Sequence, residues 1–236
     1  MIEVNQRVLV IGATQGTGYL IVNLLLRDGY RVRALARNEA KAKEKLSSPV
    51  EVVVGDITKL NTLPTAMKDV DHIMFTAGVT QRPASERLII ATEYEGVKNT
   101  LAAAKDVGFN GRFLYMTSIG VTKSSLAATL LNLVKGNTLK WRKLAEDAIR
   151  KSGLEYTIIR AGFLMNSPGG RRAIEVSQRE YPLGFKYRIS RADVAETFVQ
   201  ALKHPGTRRT TFDVVWAKGG HRQEWDVLFG QLTPDG

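Results

Sequence analysis

The sequence predicts an α/β fold: a doubly wound parallel sheet with helices on both faces and a small loop-rich region toward the C-terminus. Three observations carry this. Short apolar runs alternate with helical stretches through the first 160 residues. The runs are apolar almost throughout, not at every second position, as in strands covered on both faces. The first run ends in a glycine-rich turn that opens a helix, Arg7-Val8-Leu9-Val10-Ile11-Gly12-Ala13-Thr14-Gln15-Gly16-Thr17-Gly18. Strand, helix, strand at this rhythm implies parallel pairing through right-handed crossovers.

Strands are expected at residues 8–11, 32–36, 51–54, 71–76, 112–117 and 155–160. The first helix is expected at 17–28, with Leu20, Ile21, Leu24 and Leu25 on its buried face. A short polar helix, rich in Lys and Glu, follows at 38–46. The next is at 60–68, with Pro64 close to its start, and a long helical region covers 86–107. Another helix spans 138–151 and ends at Ser152-Gly153. Residues 165–189 carry Pro168, Gly169, Gly170, Pro182 and Gly184, and read as a small substrate-side insertion with one or two short strands. Residues 190–203 return to a helix, 211–215 form a last strand, and the final ten or so residues are expected to fray. The chain, 1–236, reads as one domain without internal repeats.

At 236 residues and 44% apolar content the chain is long enough for one sizeable core. It has no cysteine, which excludes disulfides, thiolate metal sites and cysteine nucleophiles. His72, His204 and His221 lie far apart with no ligand spacing, which argues against a catalytic zinc. No apolar run approaches the roughly 18 residues that cross a bilayer. The start carries no cleavable signal pattern, although a targeting peptide already removed would leave no trace. A cytoplasmic location, or a reducing organelle compartment such as the chloroplast stroma, fits this composition. The net charge is +11, from 34 basic and 23 acidic residues. Such a surface attracts polyanions: a phosphorylated nucleotide, an acidic partner protein or nucleic acid. The basic clusters at 41–45, 140–143, 171–172 and 208–209 have no aromatic-rich module between them, which argues against nucleic acid. A monomer or weak dimer is expected.

Gly12, Gly16 and Gly18 form the pattern G-x-x-x-G-x-G. The first permits the tight turn, the second a close approach of backbone to phosphate, the third close packing of helix on sheet. Together with Thr14, Gln15 and Thr17 they offer backbone N–H groups to a diphosphate at a helix start. Three glycines serve a purely structural turn as well; their place after the first strand favours the phosphate. No Gly-Lys-Ser/Thr follows, so this is not a Walker loop. The second strand ends in Leu35-Ala36-Arg37-Asn38, where an acidic residue would select an unphosphorylated ribose. Arg37 instead can fork a 2′-phosphate, which favours NADP(H) over NAD(H); its bland alternative is a solvated strand-end arginine. Arg33 faces away by alternation or supports from the side. Asp56 can accept from an adenine amine and Ile57 can cover the ring. Ala77-Gly78-Val79 lets the dinucleotide pass close to the backbone, and Thr117-Ser118 ends the fifth strand near the expected nicotinamide. Each has a turn-chemistry alternative.

These residues resemble an atypical short-chain dehydrogenase/reductase of the NmrA-like, NAD(P)H-binding group, with a Rossmann-like fold, from about residue 6 to 216. Besides the turn, the matching pieces include Gly55-Asp56-Ile57, Glu95-Gly96-Val97-Lys98-Asn99-Thr100, Tyr115-Met116-Thr117-Ser118, Tyr156-Thr157-Ile158-Ile159-Arg160-Ala161-Gly162-Phe163 and Ile189-Ser190-Arg191-Ala192-Asp193-Val194-Ala195. The resemblance implies that Ala161-Gly162-Phe163 passes the nicotinamide, although relatives usually carry Pro where Ala161 stands. It implies for Asp193 a helix-start role, read here as local capping together with Ser190. Active members use a tyrosine as proton donor and a lysine four residues on to hold the ribose. Here Thr138 and Arg142 occupy those places. A one-residue slip offers Lys143 but puts Leu139 where the tyrosine belongs. Threonine is a poor acid, while Arg142 can still hold a ribose or phosphate. Ser118 remains as a group for a substrate oxygen, with Tyr94, Tyr181 and Tyr187 as replacement donors. Two functions stay open. One is an NADPH-dependent oxidoreductase of a small aromatic, carbonyl, quinone or tetrapyrrole-like substrate. The other is a non-catalytic NADP(H) sensor, regulatory protein or complex-assembly factor. For the latter, residues 125–134 would supply an apolar patch, though they also suit a greasy pocket or the core.

Overall fold

The computed structural model describes residues 5–46, 49–80, 84–123, 125–134, 136–219 and 221–236. Strands β1 (Arg7–Ile11), β2 (Arg31–Ala36), β3 (Glu51–Val54), β4 (His72–Phe75), β5 (Arg112–Ser118) and β6 (Glu155–Ala161) run parallel in the order β3-β2-β1-β4-β5-β6. The short strands β7 (Phe163–Met165) and β9 (Arg188–Ser190) pair with each other beside the sheet. Two later strands extend the main sheet past β6: β10 (Thr210–Trp216) parallel to it, and β8 (Ile174–Ser177) antiparallel on the far side of β10. A short strand of the kind expected within 165–189 is therefore present, and it forms an edge of the main sheet.

The strands are apolar throughout because both faces are covered. Val8 and Val10 of β1 pack on one side with Ile21, Val22 and Leu25 of helix α1 (Gly16–Arg27). Leu9 and Ile11, one residue out of phase, pack on the other with Leu63, Ala66 and Met67. The alternation repeats in β5, where Leu114 faces the first cluster and Phe113 and Tyr115 the second. Helices α2 (Glu39–Lys45), α8 (Arg191–Lys203) and α9 (Trp225–Phe229) cover the first face. Helices α3 (Pro64–Met67), α5 (Gly96–Asp106) and α7 (Thr138–Arg150) cover the second. In α1 the fully buried apolar residues are Ile21, Val22 and Leu25, and the expected Leu20 and Leu24 are half-buried at the edge of the stripe.

Three local departures have physical causes. The helix expected at 60–68 is a 3₁₀ turn, Leu60–Thr62, followed by α3, because Pro64 has no N–H to continue a preceding helix. The region 86–107 is α4 (Glu86–Ile89), a π-helical segment Ile90–Glu95, and α5. The C-terminus does not fray: Leu228 and Phe229 are buried and Asp235 is anchored. Asp235 accepts from Thr211 N–H at 3.0 Å, Thr211 Oγ1 at 2.6 Å, Tyr156 OH at 3.0 Å and Arg150 Nε at 3.3 Å. Burial and the Asp235 charge push the Tyr156 phenol up to about 12.

Asp235→Ala leaves those four donors without their acceptor. A stability loss of about 1–3 kcal/mol in urea unfolding is expected, with a fall in the Tyr156 pKa read from tyrosinate absorbance.

Candidate functional site

The strand order reverses between β1 and β4, and a crevice opens there at the carboxyl ends of the strands. The glycine turn lies at its centre. Gly12 has φ +93°, and a β-carbon on it would meet Ala77 N at 2.8 Å and Thr76 Oγ1 at 2.9 Å. A β-carbon on Gly18 would sit 2.2 Å from Gly12 O, which no side chain tolerates. The turn thus packs backbone against backbone and leaves the start of α1 open to solvent at Gln15 and Gly16. The first turn of α1 carries no acidic residue. Thr17 is 3% exposed, and its Oγ1 has no partner among the described residues.

On the adenosine side, Arg37 lies exposed just past the end of β2. Asn38 caps α2, accepting from Lys41 N–H at 2.9 Å. Arg33 is buried on the face of the sheet that α3 covers, donating to Ala66 O and Lys68 O and paired with Glu51 at 2.9 Å, so it ties down the sheet edge. Asp56 Oδ1 accepts from Thr58 N–H and Thr58 Oγ1, both at 2.9 Å. One oxygen of the expected adenine acceptor is therefore engaged in a turn of its own loop. Ile57 is buried, its side chain against Gly96 and its carbonyl accepting from Asn99 Nδ2 at 2.9 Å.

Beside the loop that follows β4, where the nicotinamide is expected, lies a cluster whose pairing has no local signature in the sequence. Glu93, on the π-helical segment, is 2% exposed. Its Oε1 accepts from Val79 N–H at 3.2 Å and Arg142 Nη2 at 3.0 Å. Its Oε2 accepts from Arg142 Nε at 2.9 Å and from the Thr138 hydroxyl. Gly78 sits directly above, where a β-carbon would lie 3.4 Å from both Arg142 Nη2 and Glu93 Oε1. Burial works against the carboxylate, but the Arg142 charge and the hydrogen bonds from Arg142, Thr138 and Val79 outweigh it and hold the Glu93 pKa down to about 2. This adds a shared partner to the helix pair. Thr138 and Arg142 do share one face of α7, yet the threonine proton points at Glu93, and two of the three guanidinium nitrogens are bound to the same carboxylate. A signal was present: Glu93 falls four residues after buried Ile89 and four before buried Val97, an acid on an apolar stripe. Only the partner at Arg142, 49 positions away, was out of reach.

Ser118 and Thr117 end β5 with side-chain oxygens that are buried and have no partner among the described residues. Ala161 and Gly162 are buried beside them at the end of β6, with Ile119 N–H donating to Ala161 O at 3.1 Å. Phe163 turns outward, 47% exposed, and packs edge-on against Phe185 at 5.2 Å, so it covers the outer surface and not the crevice floor. Of the three tyrosines, Tyr181 has its hydroxyl engaged, whereas Tyr94 and Tyr187 are fixed through their rings. Tyr181 donates to Glu175 and stacks on Tyr187, and Tyr94 packs against Trp141. Asp193 does more than cap. Ser190 Oγ accepts from Asp193 N–H, while the buried carboxylate accepts from Ser190 Oγ, Trp216 Nε1 and Gly170 N–H, all within 2.7–2.8 Å. The apolar stretch at 125–134 forms α6 (Leu126–Val134), which packs on Val121 and Leu139 through Ala128 and Leu131 and leaves its other side open: Leu126, Leu130, Leu133 and Val134 are 63–92% exposed along one stripe. No described helix is long and apolar enough to cross a membrane.

Comparison with known proteins agrees with this geometry. A family profile described as NAD(P)H-binding matches residues 12–205. Sanguinarine reductase of Eschscholzia californica is 32% identical, over 96% of this chain and 96% of that protein. Protein TIC 62, chloroplastic, of Pisum sativum is 29% identical over 84% of this chain and 40% of its own length. Among solved structures, a putative NAD-dependent epimerase/dehydratase from Bacillus halodurans superposes with a TM-score of 0.77 at 24% identity, covering 92% of this chain and 95% of that one.

Glu93→Gln leaves the half-buried Arg142 guanidinium without its counter-charge and is expected to cost about 1–3 kcal/mol at pH 7. The double change Glu93→Leu with Arg142→Met is expected to cost less than Glu93→Leu alone, because no unpaired charge remains. The folded pKa of Glu93 lies below the free value of 4.5, so its stabilisation is complete above pH 4.5 and is lost as the pH falls toward 2. Acid titration of stability is expected to be correspondingly shallower in Glu93→Gln.

Proposed function

Because the chain belongs to the NAD(P)H-binding family of Rossmann-fold proteins, we propose that it binds NADP(H) along the carboxyl edge of its sheet and acts as an NADPH-dependent reductase. The acceptor would be a small conjugated carbonyl, quinone or tetrapyrrole-like compound. The observation that carries the choice of NADP(H) is Arg37, exposed where an acid would select NAD(H). Gly12, Gly16 and Gly18, with Thr14, Gln15 and Thr17, would hold the diphosphate. Asp56 and Ile57 would flank the adenine. Ala77, Gly78 and Val79 would line the path to the nicotinamide, with Thr117, Ala161 and Gly162 opposite.

The bound cofactor supplies hydride. The chain's own groups orient and exclude. Arg142, clamped through Nε and Nη2, keeps its remaining amino group for the ribose. Ser118 Oγ, without a partner among the described residues, donates to the acceptor's oxygen as negative charge grows there. With Thr138 donating to Glu93, and Glu93 ionised at all ordinary pH, neither supplies a proton, and water does so after hydride arrival. Such a site suits acceptors whose reduced form is stabilised by delocalisation. The match to sanguinarine reductase over nearly the full length of both chains supports the reductase reading. The chloroplastic relative supports a plastid stroma as the compartment.

One observation favours a second reading. The exposed apolar stripe of α6 is the surface an NADP(H)-responsive assembly factor would present to a partner. Turnover of NADPH over a panel of quinones, conjugated carbonyls and linear tetrapyrroles separates the two; no consumption with any acceptor, at demonstrated cofactor binding, would favour the second.

Arg37→Glu is expected to weaken NADPH binding by about 10- to 100-fold while NADH changes less than about threefold, measured by fluorescence titration. Equal losses for both cofactors would refute the selectivity. Thr138→Ala is expected to keep any turnover within about tenfold. A loss above about 100-fold at unchanged cofactor affinity would identify Thr138 as the acid after all.

A further inference from the structure

The glycine turn supplies a diphosphate with backbone N–H groups but no full positive charge. One cation lies next to it, from a distant part of the chain. Helix α8 packs along α1: Val194, Ala195 and Phe198 share one cluster with Ile21, Val22 and Leu25. Ser190 caps α8, so its first residue, Arg191, emerges beside the start of α1. A β-carbon built on Gly16 would lie 3.7 Å from Arg191 Nε and 3.9 Å from its Cδ. The guanidinium therefore lies against the turn at the residue where backbone and phosphate must approach most closely.

The side chain is also held there. Arg191 Nη1 donates to Asn166 Oδ1 at 2.6 Å, from the segment that follows β7. Asn166 is neutral, and among the described residues Arg191 makes no ion pair, so its charge is uncompensated. The nearest acid in sequence, Asp193, is turned inward onto Ser190, Trp216 and Gly170, with Arg222 at 3.5 Å. Thr17 Oγ1, buried in the same turn, has no partner among the described residues either.

We propose that Arg191 is a diphosphate clamp: a cation delivered by α8 and pre-positioned by Asn166, which closes the outer side of the glycine turn on the dinucleotide. The role rests on the nicotinamide-dinucleotide reading above and deepens it. It assigns the two ends of the cofactor to two arginines. Arg37 reads the 2′-phosphate and discriminates; Arg191 grips the diphosphate, which both cofactors share, and does not. Holding the guanidinium beforehand lowers the ordering cost when the ligand arrives. It also ties cofactor occupancy to the loop that carries Asn166.

The test titrates the full-length protein and its variants with NADPH, NADH and adenosine 2′-monophosphate, which has the 2′-phosphate but no diphosphate. Arg191→Gln is expected to weaken NADPH and NADH by the same factor, about 10-fold or more, and to leave adenosine 2′-monophosphate unchanged. Arg191→Lys is expected to restore part of the loss, and Asn166→Ala to cost about two- to fivefold through lost pre-positioning. Arg191→Gln binding NADPH like the wild type would overturn the clamp. So would an equal loss for adenosine 2′-monophosphate, which would mark a collapsed site. A wild-type protein that bound neither dinucleotide would overturn the cofactor reading, and the clamp with it.

Discussion

The close approach of the β1–α1 turn to the end of β4 is the constraint on which the crevice depends. Gly12 and Gly18 bring backbone to within a distance that no β-carbon allows, and Thr76 ties the two strand ends together, its N–H and Oγ1 both donating to Ile11 O at 2.8 and 3.0 Å. With side chains at these positions α1 would have to swing away from the sheet. Its N-terminus would then lose its aim at the edge, and the α1–α8 contact that brings Arg191 beside Gly16 would go with it. One steric condition thus sets the glycine turn, the helix packing behind it and the reach of a residue from the far end of the chain.

A second constraint is electrostatic. A carboxylate as buried as Glu93 persists as an ion only with its hydrogen-bonding capacity filled, and here four donors fill it. They come from the cofactor-side turn at Val79 and from two positions of α7. The arrangement turns what would be an acid–base pair on α7 into a rigid, charge-balanced support under Gly78. A π-helical segment, a distortion often found at functional sites, carries the carboxylate inward.

The comparison between sequence and structure sorts along the range of the interactions. The strands through β6 and the first helix were legible because apolar runs and a glycine turn are local signals. Pro64 sat close to the start of its expected helix, but its power to split that helix in two shows only in the structure. The π segment was not legible, since nothing in Ile90 to Glu95 departs from an ordinary helical pattern. The place of the strand at 174–177 on the edge of the main sheet and the docking of the C-terminus were not legible for another reason. Each is held by contacts with β10 and its neighbours across many intervening residues, and alternation such as that of Ile174 to Ser177 predicts a strand without naming its partner.

By itself the sequence determined the doubly wound sheet, the position of the phosphate turn and the arginine that follows the second strand, because those depend on residue type over a few neighbouring positions. Tertiary structure alone decided that Thr138 and Arg142 serve Glu93, that Phe163 faces outward and that Arg191 reaches the glycine turn. Each of these depends on which distant side chain occupies the remaining space once the sheet is covered, and on whether a buried charge finds its partner there.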